Sequence, residues 1–147
     1  ALLREVRAAL AALSERFPGR VDEERALYAG FSQGATMGAL AFSRDPAPFA
    51  GAVLIEGGAE EWSIHSARTF REGGGRRVVF ACGRRRCADA ARRSAGYLTR
   101  EGVESRVVDA SGAGHTLGGA VGEGVAAALP WLLEGDVRWG RVMAASP

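Results

Sequence analysis

Two of the residue types needed for acyl transfer stand where the chain could use them. Ser32 lies in Gly30-Phe31-Ser32-Gln33-Gly34, between an apolar run (27–31) and a stretch of small residues (34–39). A Gly-x-Ser-x-Gly segment at a strand-to-helix junction can fold as a sharp turn that lifts the hydroxyl above a sheet. Glycine two residues to either side is then expected, because the turn brings backbone too near for a Cβ. His115 is one of only two histidines and follows Gly112-Ala113-Gly114, whose glycines allow a loop to turn back over a sheet edge. A hydroxyl nucleophile, an imidazole to take its proton and an acid to orient the imidazole are the parts that attack on a carbonyl requires. The pentapeptide alone is not specific, so the elements around it must decide.

Apolar residues at Leu2, Leu3, Val6, Leu10, Leu13 and Phe17 recur every three or four positions and predict a helix over 2–17, stopped by Pro18-Gly19. A polar loop (21–24) leads to a strand over 25–31. A helix over 33–43 can pack Ala35, Gly38, Ala39 and Phe42 closely on a sheet, and Asp45-Pro46-Ala47-Pro48 ends it. Residues 51–55 form an unbroken apolar run, as expected of a strand buried on both faces of a parallel sheet. A loop with a short helix (60–71), a turn at Gly73-Gly74-Gly75, a strand (77–82), a helix (88–101), a strand (104–108) and a last helix (117–133) follow, with a tail holding Trp139. This alternation predicts one domain over 1–147 of α/β class, with a mainly parallel sheet between layers of helices. Sites in such sheets form beyond the C-terminal ends of the strands. Ser32 follows the first strand, Glu56 the second, and His115 lies in the loop after the fourth. His65 has no such placement and reads as a surface residue; Asp109 reads as a cap of the last loop.

The charge balance excludes several functions. All 19 basic residues are Arg against 17 acidic ones, a net charge of +2, and Gln33 is the only Gln in a chain without Lys or Asn. That pattern reads as base-composition bias. Apart from Arg84-Arg85-Arg86 the arginines are scattered and not interleaved with aromatics, so no nucleic-acid partner is expected. No apolar run approaches the roughly 18 residues of a membrane-spanning helix. Cys82 and Cys87 could form a local disulfide in an exported protein or stay reduced thiols otherwise, which leaves the localisation open between cytoplasm and export. Two cysteines and a distant histidine do not make a four-ligand set, so neither a metal nor another cofactor is expected. The start at Ala1, already inside a helical pattern, reads as a processed product or part of a longer chain.

With these elements in order, the chain resembles the α/β-hydrolase family, its carboxylesterase and acyl-protein-thioesterase branch, from Leu2 to about Trp139. Gly30-Phe31-Ser32-Gln33-Gly34-Ala35 carries the resemblance, supported by Ala52-Val53-Leu54-Ile55, Val78-Val79-Phe80-Ala81 and Gly114-His115. It implies Ser32 as nucleophile, His115 as general base and the Gln33 backbone N–H as one oxyanion donor. Two features depart from the family. Its acid stands three residues after a glycine ending the third strand, where this chain has Arg86 after Gly83. Asp89 is the nearest replacement, if a Cys82–Cys87 bridge rearranges the loop, although it also reads as an acid favoured at a helix N-terminus. Glu56 is the alternative, because some members carry the acid after the preceding strand. The second departure is at the front: the loop that gives the other oxyanion donor has no counterpart before Ser32.

The chain thus resembles the C-terminal half to two-thirds of such a fold, its Ser32 strand left as an exposed apolar edge. An N-terminal segment, a second chain or a homodimer would cover that edge. The implied function is a serine hydrolase acting on ester or thioester bonds of a small-molecule acyl substrate. The alternative is a hydrolase-like binding or assembly module without a complete triad and oxyanion hole. A phosphate-binding domain is disfavoured, because no glycine-rich phosphate loop follows any strand.

Overall fold

The chain folds around a four-stranded, all-parallel sheet in the order β1 (Ala26–Phe31), β2 (Phe49–Ile55), β3 (Arg77–Cys82) and β4 (Glu104–Asp109). This computed structural model describes residues 2–44 and 48–138; residues 45–47 of the turn expected after Ser43, and Trp139, lie outside the described residues. The helices are α1 (Leu2–Arg16), α2 (Gln33–Phe42), α3 (Ile64–Glu72), α4 (Arg85–Arg100) and α5 (Gly119–Leu133). The expected α/β class and layered parallel sheet are those observed.

Adding strands in one direction with crossovers of one hand puts every connecting helix on one face. Accordingly α2 packs on β1 and β2, α4 on β3 and β4, and α3 between α2 and α4, while α5 returns against β3 and β4. The alternation along the central strands sorts the core into two layers. Ala52, Leu54, Val78 and Phe80 belong to the core that includes Ala35, Phe42, Phe70 and Leu98, whereas Val53 and Val79 meet Ala128 and Leu132 of α5. Both faces are apolar because both are covered.

Phe42 at the end of α2 packs against Tyr28, Phe49, Trp62 and Phe70, with ring centroids 5.3, 5.5, 6.1 and 5.1 Å away. These rings lock α2 to the sheet, and with it the turn from which α2 starts. The face expected of α1 is only partly used. Leu3 and Val6 reach the core, but Leu13 and Phe17 remain 46% and 48% exposed. β1 pairs with β2 alone among the described residues and is an edge strand with no fully buried residue.

α4 starts at Arg85, earlier than the expected 88. No side chain caps it, so the usual start signal is missing. A disulfide between Cys82, the last residue of β3, and Cys87, in the first turn of α4, ties strand to helix. The bridge closes a loop with a sequence separation of 5. Constraining the unfolded chain over so short a loop contributes about 2 kcal/mol. Urea melts of the oxidised and dithiol-reduced chain should differ by about that amount. Coincident curves would show that the bridge adds nothing to the folded state.

Candidate active site

Ser32 continues the ladder of β1 by donating its N–H to Ile55 O (2.8 Å), and then the chain reverses. Its φ of 52° and ψ of −117° lie in a region that a residue with a Cβ occupies only under strain. Surrounding contacts hold the turn. A Cβ on Gly30 would stand 2.7 Å from Ala35 N, so only glycine lets the start of α2 fold back on the strand. Tyr28 donates its hydroxyl to Gly34 O (2.6 Å), and Thr36 N–H bonds Ser32 O (3.1 Å) to begin the helix. The second flanking glycine does not meet the expectation: a Cβ on Gly34 would face open space among the described residues.

One strand over, Glu56 repeats the manoeuvre. Its N–H continues β2 onto Ala81 O (2.9 Å), and its φ of 53° turns the chain away. Gly57 follows because a Cβ there would overlap Ser32 O. The Glu56 side chain has no exposed surface, and a buried carboxylate is tolerated only if its oxygens are satisfied. Oε1 accepts the N–H groups of Gly83 and Arg84 (3.0 Å for the latter), and Oε2 accepts Arg84 Nε (2.6 Å) and His115 Nδ1 (3.1 Å). Burial alone would push this carboxyl up, but the hydrogen bonds from His115, Arg84 and the two backbone N–H groups together hold it below the ordinary glutamate range.

His115 arrives from the far edge. β4 and β1 are three strand spacings apart, roughly 14 Å, a span well within the reach of the loop after Asp109. The loop is pinned midway, where the N–H groups of Gly112 and Gly114 both donate to Gly83 O (3.0 Å each). Gly112 and Gly114 have φ of 107° and 82°, as the reversal needs. Gly83 must itself lack a side chain, since a Cβ would overlap Gly114 O. Phe31 packs its ring 4.8 Å from the imidazole.

His115 Nε2 then lies 2.9 Å from Ser32 Oγ. An ionised Glu56 can only accept, so Nδ1 carries the proton and Nε2 of the neutral ring faces the serine hydroxyl as acceptor. Ser32, His115 and Glu56 form one continuous hydrogen-bonded line across the ends of the strands. Gln33, the first residue of α2, places its N–H among the helix's free N-terminal donors beside Ser32.

Asp89 is not part of this line. It is exposed on α4 and pairs with Arg92 (3.0 Å), because the helix already begins at Arg85 and turns Asp89 to the surface. The expected acid position, Arg86, pairs with Glu60 at the surface (3.1 Å). His65 is exposed on α3, and Asp109 accepts from Ser111 and Arg92 at the base of the His115 loop. Gly83 and Arg84 are the site residues that sequence reasoning passed over; the glycine closing a strand was visible, its double use was not. A cavity of about 340 Å³ opens beside Glu56, lined by Thr36, Gly58, Glu60, Glu61 and Arg84 among others. Among the described residues no group of three or more His, Cys, Asp or Glu could hold a metal ion, and no helix is long and apolar enough to cross a membrane.

No family model, curated protein or solved structure matches this chain.

Two outcomes follow from this geometry. Gly83→Ala should cost about 1–3 kcal/mol in denaturant melts and release the His115 loop, seen as loss of amide exchange protection at Gly112 and Gly114. The second concerns acid. A carboxyl whose value is lowered by folding adds stability that is complete above its unfolded value and is lost as the pH falls through the folded one. The stability gap between the wild type and Glu56→Gln should therefore be widest near neutrality and close from about pH 4.3 downward. A gap constant from pH 7 to 2 would contradict the lowered carboxyl.

Proposed function

We propose that this chain is a serine hydrolase of α/β-hydrolase type that cleaves carboxylic ester or thioester bonds. The observation that carries the reading is the unbroken line Ser32 Oγ–His115 Nε2 (2.9 Å) and His115 Nδ1–Glu56 Oε2 (3.1 Å). It is built at strand ends, on a serine held at positive φ.

Ser32 Oγ attacks the carbonyl carbon and passes its proton to His115 Nε2, while the buried Glu56 carboxylate steadies the imidazolium. The tetrahedral oxyanion is met by the Gln33 N–H at the positive end of α2. Collapse expels the alcohol or thiol, which takes the proton from His115, and leaves an acyl group on Ser32. Water, activated by the same imidazole, then releases the acid. The polar Gln33 beside the nucleophile and the exposed edge of His115 (side chain 41% exposed) favour small or mid-sized acyl groups. A second oxyanion donor would come from a segment or second chain seated on the open edge of β1. The Cys82–Cys87 bridge favours an oxidising compartment, and hence export.

The rival reading is a binding or assembly module of the same fold. It draws support from β1, which pairs with β2 alone among the described residues.

A fluorophosphonate probe separates the two. The wild-type chain should label at Ser32, Ser32→Ala should not, and His115→Ala should slow labelling by about 10²–10⁴-fold. Absence of labelling in the intact wild type would leave the binding module.

A further inference from the structure

Arg84 belongs to neither the elbow nor the histidine loop, yet it touches both oxygens of the buried carboxylate. Its own N–H holds Oε1 (3.0 Å), and its side chain folds back so that Nε holds Oε2 (2.6 Å). Oε2 is the oxygen that also accepts His115 Nδ1. A triad acid steadies an imidazolium through its negative charge, so a guanidinium on the same oxygen draws on that charge. The geometry points to Arg84 as a positioning residue whose guanidinium divides the Glu56 charge with His115, weakening the carboxylate's hold on the protonated ring. This inference rests on the hydrolase reading only for its effect on catalysis; the coupling itself is a property of the four-donor carboxylate.

Among the described residues, the other acids of the elements around the ring are engaged or turned to the adjoining cavity. From the Glu56 loop, Glu60 is paired with Arg86; Glu61 lines the adjoining cavity, and burial pushes its carboxyl up. Asp109 at the end of β4 is engaged by Arg92 and Ser111, and the first turns of α2 and α5 carry no acid or base. Among the described residues Arg84 is therefore the cation in contact with the Glu56–His115 pair. Removing its side chain would not unseat the acid, because the Gly83 and Arg84 N–H groups still hold Oε1. The Arg84 side chain is 54% exposed, so solvent screens part of its effect.

The test follows the imidazole directly. NMR titration of the intact, oxidised protein reads both histidines, with exposed His65 on α3 as an internal reference. In Arg84→Met the His115 midpoint should rise by about half to one pH unit relative to wild type, with His65 unmoved. Arg84→Lys, which keeps the charge, should return most of the difference. An unchanged midpoint in Arg84→Met would overturn the charge sharing. So would a fall, which would mean that Arg84 only seats the acid. Fluorophosphonate labelling against pH reports separately: if the wild type does not label, the hydrolase reading fails while the titration still decides Arg84. If it labels, the rise of rate with pH should shift in Arg84→Met by the same half to one unit.

Discussion

A single buried carboxylate sets the terms for this fold. An ionised group without exposed surface costs several kcal/mol unless its oxygens are met, and Glu56 meets that demand with donors from the end of β3, the start of α4 and the loop after β4. Satisfying one side chain therefore fixes the positions of three chain segments relative to β2. His115 is placed as a consequence: its Nδ1 fills the last acceptor site on Glu56, and its other nitrogen is then aimed at Ser32. Electrostatic satisfaction and the alignment of the serine are one geometric condition.

Backbone strain is confined to the two residues that need it. Ser32 and Glu56 are the non-glycine residues with positive φ among those described, at equivalent ends of adjacent strands. Each is followed or flanked by a glycine whose missing Cβ makes room for a turn: Gly57 for the neighbouring turn at Ser32 O, and Gly30 for the start of α2 after its own turn. The aromatic cluster around Phe42 anchors α2 from below, and the Cys82–Cys87 bridge anchors the start of α4. Strain of about 1–3 kcal/mol per residue persists only where such anchors leave the chain no easier conformation.

These particulars explain which parts of the site were legible from residue order. Strands over 51–55 and 77–82 announced themselves as apolar runs because both faces are buried, and Ser32 and His115 because glycines surround them. Glu56 could be named only as one of two acids, since its burial depends on donors that are remote in sequence. Asp89 looked eligible as the acid nearest the Arg86 position, and the early start of α4 at Arg85 turns it outward; an uncapped N-terminus inside an Arg run carries no local signal. Arg84 was hidden for the same reason. In a run of three arginines the residue order does not say which one turns inward, and only the register of β3 against β2 brings Arg84 over Glu56. Gly34 is the converse case, a residue whose motif position implied crowding that the described neighbours do not supply.

The two sides of the serine are unequal. Toward β2, β3 and β4 the machinery is over-determined: four donors hold one carboxylate, and two N–H groups pin the histidine loop to one carbonyl. Toward the start of α2 the elbow offers the N–H of Gln33, and a Cβ on Gly34 would meet nothing among the described residues. In acyl transfer a preorganised oxyanion donor lowers the barrier by about 3 kcal/mol. A chain element laid along the outer edge of β1 would leave the Glu56–His115–Ser32 line intact, because the partners that hold Ser32 in it come from the loops after β2 and β4. The Ser32–His115–Glu56 line is thus complete without the outer edge of β1, and under the proposed hydrolase reading the oxyanion donors are a separate requirement.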